Sequence, residues 1–282
     1  MSWLFQNTGN FRIRELADAY HQKTLEIINA KLATNYVTYS PWMSNIEKAS
    51  LLEPLYTERQ LILNDQNNLH RIASIYEMSG CQKALVNGVS VKSVSIGSFN
   101  SEETVFNTAL ESVKNSDPNL SFQLEYLIQH FVPLATLEGV QEIGVGSSVQ
   151  DARGAVFLSI PNLQQNSSSQ LSINIAHELG HQALMLYQSA DTIIEPDYLD
   201  VEVYSHVRRC LRPAIQAFHA TVALAYMSKF LLGTKVMTTY LQNQKQNIPK
   251  QFKESLDVYQ NIRFTQLGKQ IFSELEEYAK VI

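Results

Sequence analysis

The sequence contains few cysteines and no long apolar run. Its two cysteines, Cys81 and Cys210, lie too far apart for a disulfide framework or a pair of zinc-binding thiolates, so we expect two buried, reduced thiols. No segment reaches the roughly 18 consecutive apolar residues that a membrane-spanning helix needs. The first seven residues become polar before a signal-peptide core could form. These features predict a soluble, cytoplasmic protein without a membrane partner.

An excess of positive charge is also missing. The 282 residues include 22 Lys and Arg against 27 Asp and Glu, which gives a formal net charge of −5. A mildly acidic chain lacks the basic surface that drives nucleic-acid binding, so we expect no nucleic-acid partner. In contrast, 45% of the residues are hydrophobic, which is enough to form a folded core.

The spacing of apolar residues predicts an α+β fold that is predominantly helical and has a small mixed β-sheet. Alternating residues between 84 and 99 predict a hairpin or two short strands, and residues 141–145 and 154–160 are further strand candidates. Helices are expected near 102–115 and 120–131. We divide the chain into a helical N-terminal part (1–82), a catalytic part (83–232) and a C-terminal helical scaffold (233–282), with soft boundaries that allow a single domain.

One helix carries the clearest chemical pattern. His177, Glu178 and His181 form a His-Glu-x-x-His sequence inside a predicted helix over 171–187. Histidines four positions apart lie on one helix face, where they can bind one metal ion, and the intervening Glu can act on a metal-bound water. A strand is expected at 154–160, before this helix, which we call the metal helix. We interpret this strand as the edge of a sheet that runs beside the metal helix. This order resembles the zincin arrangement, so we expect a zincin-like catalytic part.

Two histidines leave a metal ion in need of at least one more protein ligand. His219 is the strongest candidate, because it lies in an apolar helix that is predicted to begin at Pro213, where an imidazole needs a partner. The residues alone leave open whether it is a ligand or a hydrogen-bonded core histidine. Further candidates are Glu195, Asp197, Asp200, Glu202 and His206, and the acidic segment 191–200 is expected to be a solvated loop.

The segment before His219 carries a second pattern. Ser205, Arg208, Arg212 and Pro213 fit a Ser-x-x-Arg-x-x-x-Arg-Pro stretch that precedes a helix with a later His. Together with the metal helix, this stretch resembles the HExxH-type iron- and 2-oxoglutarate-dependent peptide β-hydroxylase family that is associated with ribosomally synthesised peptide natural products. The resemblance covers about residues 154–226.

The resemblance implies a peptide hydroxylase that uses Fe(II), 2-oxoglutarate and dioxygen on a precursor peptide. His177, His181 and His219 would hold the iron, and Arg212 or Arg208 would bind the far carboxylate of 2-oxoglutarate. The alternative for either arginine is an ion pair with the acidic loop. His206 stands where the family pattern has Pro, and residues 209–211 replace a more polar spacer that contains Pro.

Two other functions remain open. A zinc metallopeptidase would use Glu178 as the catalytic general base on a zinc-bound water. A peptide-binding module could instead keep a purely structural metal, although such sites usually have four protein ligands and include thiolates.

Overall fold

The computed structural model describes residues 3–37, 83–86, 89–92, 94–96, 103–136, 146–159 and 167–282. The α-helices among them are, in chain order, α1 (Asn7–Leu32), α2 (Glu103–Lys114), α3 (Pro118–Leu127), α4 (Ser167–Ala190), α5 (Ala214–Gly233), α6 (Thr239–Leu256) and α7 (Gln266–Val281). The strands are β1 (Lys83–Val86), β2 (Val89–Lys92), β3 (Val94–Ile96), β4 (His130–Thr136), β5 (Gly146–Ser148), β6 (Ala155–Ser159), β7 (Glu202–Ser205) and β8 (Cys210–Pro213). The predicted α+β class, mostly helical with a small mixed sheet, is confirmed.

The main sheet has four strands in the order β3-β4-β6-β5. Strands β4 and β6 are parallel, whereas β3 and β5 run antiparallel to their neighbours. Strands β1 and β2 form an antiparallel pair, as the alternation near residue 84 predicts, and β7 and β8 form another. The interpretation of 154–160 as a sheet edge is wrong, since β6 lies between β4 and β5 and the short strand β5 is the edge.

Helix α4 forms the centre of the molecule. It packs against α1, α2, α3, α5 and α6 and contacts β5 and β6, so nearly all its apolar side chains are buried. The same core cluster includes Ile13 of α1, Leu179 of α4 and Leu275 of α7. The three parts predicted from the sequence therefore contribute to a common core.

Several predicted element boundaries differ from the structure. The helix expected to continue to Phe131 ends at Leu127, and Phe131 belongs to β4. Pro213 ends β8 and has an extended ψ of 136°, so α5 begins one residue later than expected. Residues 51–82 and the strand candidate at 141–145 lie outside the described residues. Cys210 is exposed and not buried as expected, because it lies on the open two-stranded β7–β8 hairpin.

No helix among the described residues is long and apolar enough to cross a membrane.

Candidate metal site

The His-Glu-x-x-His residues lie on consecutive turns of α4, as the sequence predicts. The Nε2 atoms of His177 and His181 are 3.0 Å apart. One ligand atom from each of His177, Glu178 and His181 can be chosen so that all lie within 4.8 Å of one another, which makes this group a possible metal site. Both imidazoles are half-buried, whereas Glu178 is only 2% exposed.

The spacing of the two imidazoles suits a shared metal ion. With metal–nitrogen bonds of about 2.1 Å, two ligand nitrogens lie about 3.0 Å apart at a right angle and about 3.4 Å apart at the tetrahedral angle. The observed 3.0 Å is close to both values, so two imidazoles at this separation can share one metal ion. Octahedral coordination leaves several positions for exogenous ligands when the protein supplies only three.

Burial also prepares these imidazoles to act as ligands. It lowers the pKa of His177 to about 4, and the nearby positive charge of Arg208 contributes to that shift. Burial lowers the pKa of His181 well below its usual value, and the neighbouring histidines and arginines add to the effect. Because a metal binds the neutral imidazole, the two rings are already in the binding form at neutral pH.

Glu178 lies between the metal helix and the edge strand of the sheet. Burial raises its pKa to about 8, although a hydrogen bond from Ser148 and the charge of Arg208 oppose the shift. The hydroxyl of Ser148 donates to Oε2 over 2.7 Å, and Oε1 is 3.9 Å from Nε2 of His177. Gly146 leaves room for the carboxylate, since a Cβ at that position would lie 2.9 Å from Oε1.

His219 lies beside the pair, on the neighbouring helix α5. Its ring centroid is 5.5 Å from that of His181, but it is not part of the 4.8 Å group. Burial lowers the pKa of His219 to about 4. Its Nε2 is 2.8 Å from Oε1 of Gln188. The structure thus places His219 next to His177 and His181 and gives it one hydrogen-bond partner.

The other candidates for a third ligand have different surroundings. His206 points one ring nitrogen, Nδ1, at Glu254 of α6 over 3.8 Å. The carboxylates of Asp197, Asp200 and Glu202 belong to exposed residues, as expected for a solvated loop, and Glu195 is half-buried. None of these residues belongs to the group that could hold a metal among the described residues.

The two arginines of the sequence pattern lie on the β7–β8 hairpin. Ser205 stabilises the turn of this hairpin. Its buried hydroxyl accepts a hydrogen bond of 3.4 Å from the backbone N–H of Arg208, and its carbonyl oxygen accepts one from the backbone N–H of Arg209. Arg212 pairs across the hairpin with Val203, and its guanidinium donates to Gln216 over 2.8 Å. Arg212 lies in β8 and not in the helix that carries His219.

Both guanidinium groups influence the histidine cluster. The charge of Arg208 lowers the pKa of His177, Glu178 and His181, and Arg212 contributes at His181. Within the described part of the chain, neither arginine forms an ion pair with a carboxylate. The alternative of an ion pair between either arginine and the acidic loop is therefore not observed among the described residues.

Sequence reasoning missed three residues that contact the site. Gln188 lies seven positions after His181, on the same face of α4, and this spacing was an available signal. Met227 lies eight positions after His219 and places its sulfur 3.3 Å from Nδ1 of His177. Ser148 gave no signal, because its contact with Glu178 depends on how the sheet packs on the helix.

Comparison of the chain with protein-family models gives no match. Comparison with curated proteins gives no match either.

Proposed function

We propose that the protein is an Fe(II)- and 2-oxoglutarate-dependent hydroxylase of a ribosomally made precursor peptide. The observation that carries the proposal is the pair Arg208 and Arg212, whose positive charges lower the pKa of His181 and which form no ion pair with a described carboxylate. A dicarboxylate co-substrate requires a cation near the metal, and a guanidinium group suits that role.

Imidazole nitrogens are donors that suit iron as well as zinc. His177 and His181 would hold it from α4 and His219 from α5. When bound, iron with dioxygen and 2-oxoglutarate supplies the oxidation in which a peptide C–H becomes C–OH and 2-oxoglutarate becomes succinate and carbon dioxide. Three neutral ligands leave the full charge of the ion in place, which favours an anionic chelator.

The arginines bind and orient the co-substrate in this proposal. Arg212 is half-buried and already directed by its hydrogen bond to Gln216, so its planar group loses little freedom on binding a carboxylate. Arg208 is more exposed, and its positive charge near His177 would stabilise the negative charge of the bound co-substrate. Glu178 keeps the edge strand in place through Ser148, and it does not have to remove a proton from water.

We propose a zincin-like arrangement for the peptide as well. Strand β5 lies next to α4 and pairs with β6. In this proposal the extended precursor peptide would lie beside Glu178, along the side of α4 that β5 contacts. This arrangement would place a side chain of the precursor peptide near the histidine cluster.

The test combines metal analysis with an assay of 2-oxoglutarate consumption after anaerobic purification. We expect one iron per chain and conversion of 2-oxoglutarate to succinate. The His219→Ala variant should lose the metal while remaining folded, and His206→Ala, which faces Glu254, is the matched control that should retain it. Full metal content in His219→Ala would remove His219 from the site, and the absence of succinate from the iron-loaded protein would contradict the hydroxylase.

A zinc metallopeptidase is the second candidate function. The observation in its favour is that Oε1 of Glu178 lies 3.9 Å from Nε2 of His177, where its carboxyl group can reach a metal-bound water. A carboxylate in this position can serve as the general base for a zinc-bound water. Peptide cleavage by the zinc-loaded protein in the absence of 2-oxoglutarate would support the peptidase and contradict the hydroxylase.

A further inference from the structure

The contact between α4 and α5 includes one polar pair next to the candidate metal site. Gln188 lies two helical turns after His181 and is half-buried. Its side-chain oxygen is 2.8 Å from Nε2 of His219. Among the described residues, the other ring nitrogen of His219, Nδ1, makes no hydrogen bond.

This contact favours one position for the proton of His219. A neutral imidazole has one N–H donor and one nitrogen with a free lone pair. With the amide oxygen of Gln188 toward the ring, as in the structure, Nε2 is the donor and Nδ1 keeps the lone pair. Metal-binding histidines are commonly fixed in this way by a hydrogen bond to the nitrogen that does not bind the metal.

We propose that Gln188 is a positioning residue that holds His219 in the Nε2–H form and thereby leaves Nδ1 as the nitrogen of His219 that can bind a metal ion. The proposal rests on the proposed function in one respect, namely that His219 is the third metal ligand. The Gln188 proposal goes beyond the proposed function, because it assigns a role to Gln188 and states which atom of His219 binds the metal.

The two histidines of α4 are held differently, which makes the role of Gln188 specific. Their Nε2 atoms face each other, and Nδ1 of His177 is 3.3 Å from the sulfur of Met227, which is a weak acceptor. These two rings are therefore expected to bind through Nε2. Loss of Gln188 should change the environment of His219 and leave that of His177 unchanged.

Nitrogen-15 NMR of the metal-free protein tests the proton position directly. Long-range proton–nitrogen spectra distinguish the two neutral forms of each histidine, and His219→Gln identifies its signals. We expect His219 in the Nε2–H form in the wild type. Gln188→Leu should lose this preference, and Gln188→Glu, which keeps an acceptor oxygen, should restore it. A wild-type His219 in the Nδ1–H form would overturn the proposal.

Binding of Co²⁺ alone, measured in competition with a chelator, gives the second readout. Removal of such a supporting hydrogen bond typically weakens metal binding 10–100-fold, and we expect this loss in Gln188→Leu. Gln188→Glu should bind within a few-fold of the wild type. The matched control is Gln170→Leu, the same change in the first turn of the same helix, which should have no effect. Unchanged Co²⁺ affinity in folded Gln188→Leu would overturn the proposal.

These readouts separate the Gln188 role from the proposed function. If the proton position and the Co²⁺ affinities agree with expectation but the iron-loaded protein does not consume 2-oxoglutarate, the positioning role is supported and the hydroxylase is contradicted. If 2-oxoglutarate is consumed equally well by Gln188→Leu with normal metal affinity, the positioning role is overturned and the hydroxylase is supported.

Discussion

Glu178 separates the two candidate functions at the scale of a single residue. Its carboxyl is buried with Ser148 as a hydrogen-bond donor, and burial raises its pKa to about 8. Glutamine has nearly the same shape and keeps an acceptor oxygen for Ser148, but it cannot accept a proton from water. The Glu178→Gln change therefore removes one chemical capacity and little of the structure.

We expect Glu178→Gln to remain active as a hydroxylase, with a reduced rate. The loss of 2-oxoglutarate conversion should be at most about 10–100-fold, because the carboxyl supports neighbouring groups and transfers no proton. As a general base in a peptidase, its removal would cost about 10²–10⁴-fold or more. The measurement is succinate formation by both proteins at equal iron content. A variant that binds metal normally and has lost all activity would contradict the hydroxylase.

Arg212 provides a second test at the residue scale. We expect Arg212→Ala to weaken 2-oxoglutarate binding by about 2 kcal/mol or more, since it removes a half-buried cation with no described carboxylate partner. Metal content should not change. Titration of the anaerobic iron protein with 2-oxoglutarate measures the effect. Arg209→Gln, at the exposed turn of the same hairpin, is the control, and a larger loss in Arg208→Ala would show that Arg208 binds the carboxylate instead.

At the scale of elements, the close approach of α4 and α5 depends on the glycine of the metal motif. A Cβ at Gly180 would lie 2.9 Å from Cα of Ala223 and 3.2 Å from the Tyr226 ring. The neighbouring residue His181 faces His219 across the same helix pair. The two helices must therefore pack tightly here for the three histidines to approach one another.

We expect Gly180→Ala to destabilise the protein by about 1–3 kcal/mol, because the added methyl group forces two packed helices apart. In an unconstrained helix the same change would stabilise by about 0.5–1 kcal/mol, so the sign of the effect is informative. Chemical unfolding measures it, with Ser189→Ala near the exposed end of α4 as the control. A stabilised Gly180→Ala variant would show that α4 and α5 can accommodate the added methyl group.

The elements also show what the sequence could and could not predict. Helix α4 and its His-Glu-x-x-His pattern were predictable because the spacing of the histidines and the apolar face are local properties of the chain. The β7–β8 hairpin was not, since its turn contains Arg209 with a φ of 54° where a glycine or asparagine would have been the usual signal. The contact between Ser148 and Glu178 joins residues 30 positions apart and depends on how the sheet packs on α4, so no local pattern could reveal it.

At the scale of the whole molecule, both ends of the chain meet beside the metal helix. The Glu274 carboxylate of α7 accepts hydrogen bonds from the backbone N–H groups of Trp3, Leu4 and Phe5. The hydroxyl of Tyr187, on the metal helix, donates to the carbonyl oxygen of Trp3. The buried carboxylate thus accepts the hydrogen bonds of three backbone N–H groups. These hydrogen bonds do not depend on the side chains of residues 3–5.

Glu274 is therefore expected to stabilise the whole fold without taking part in the chemistry. Glu274→Gln replaces one oxygen with an NH₂ group that faces backbone donors, so at least one buried N–H loses its partner. Hydrogen bonds to a charged group contribute about 1.5–3 kcal/mol each, and we expect a loss of about 2–4 kcal/mol in the free energy of unfolding. Denaturant unfolding measures this loss against Glu277→Gln, on the exposed face of the same helix. Because Glu274 has no hydrogen bond or ion pair with His177, His181 or His219 in the described part of the chain, the metal affinity of the folded variant should equal that of the wild type. Equal stability of the two variants would show that water replaces the carboxylate at the N-terminal segment.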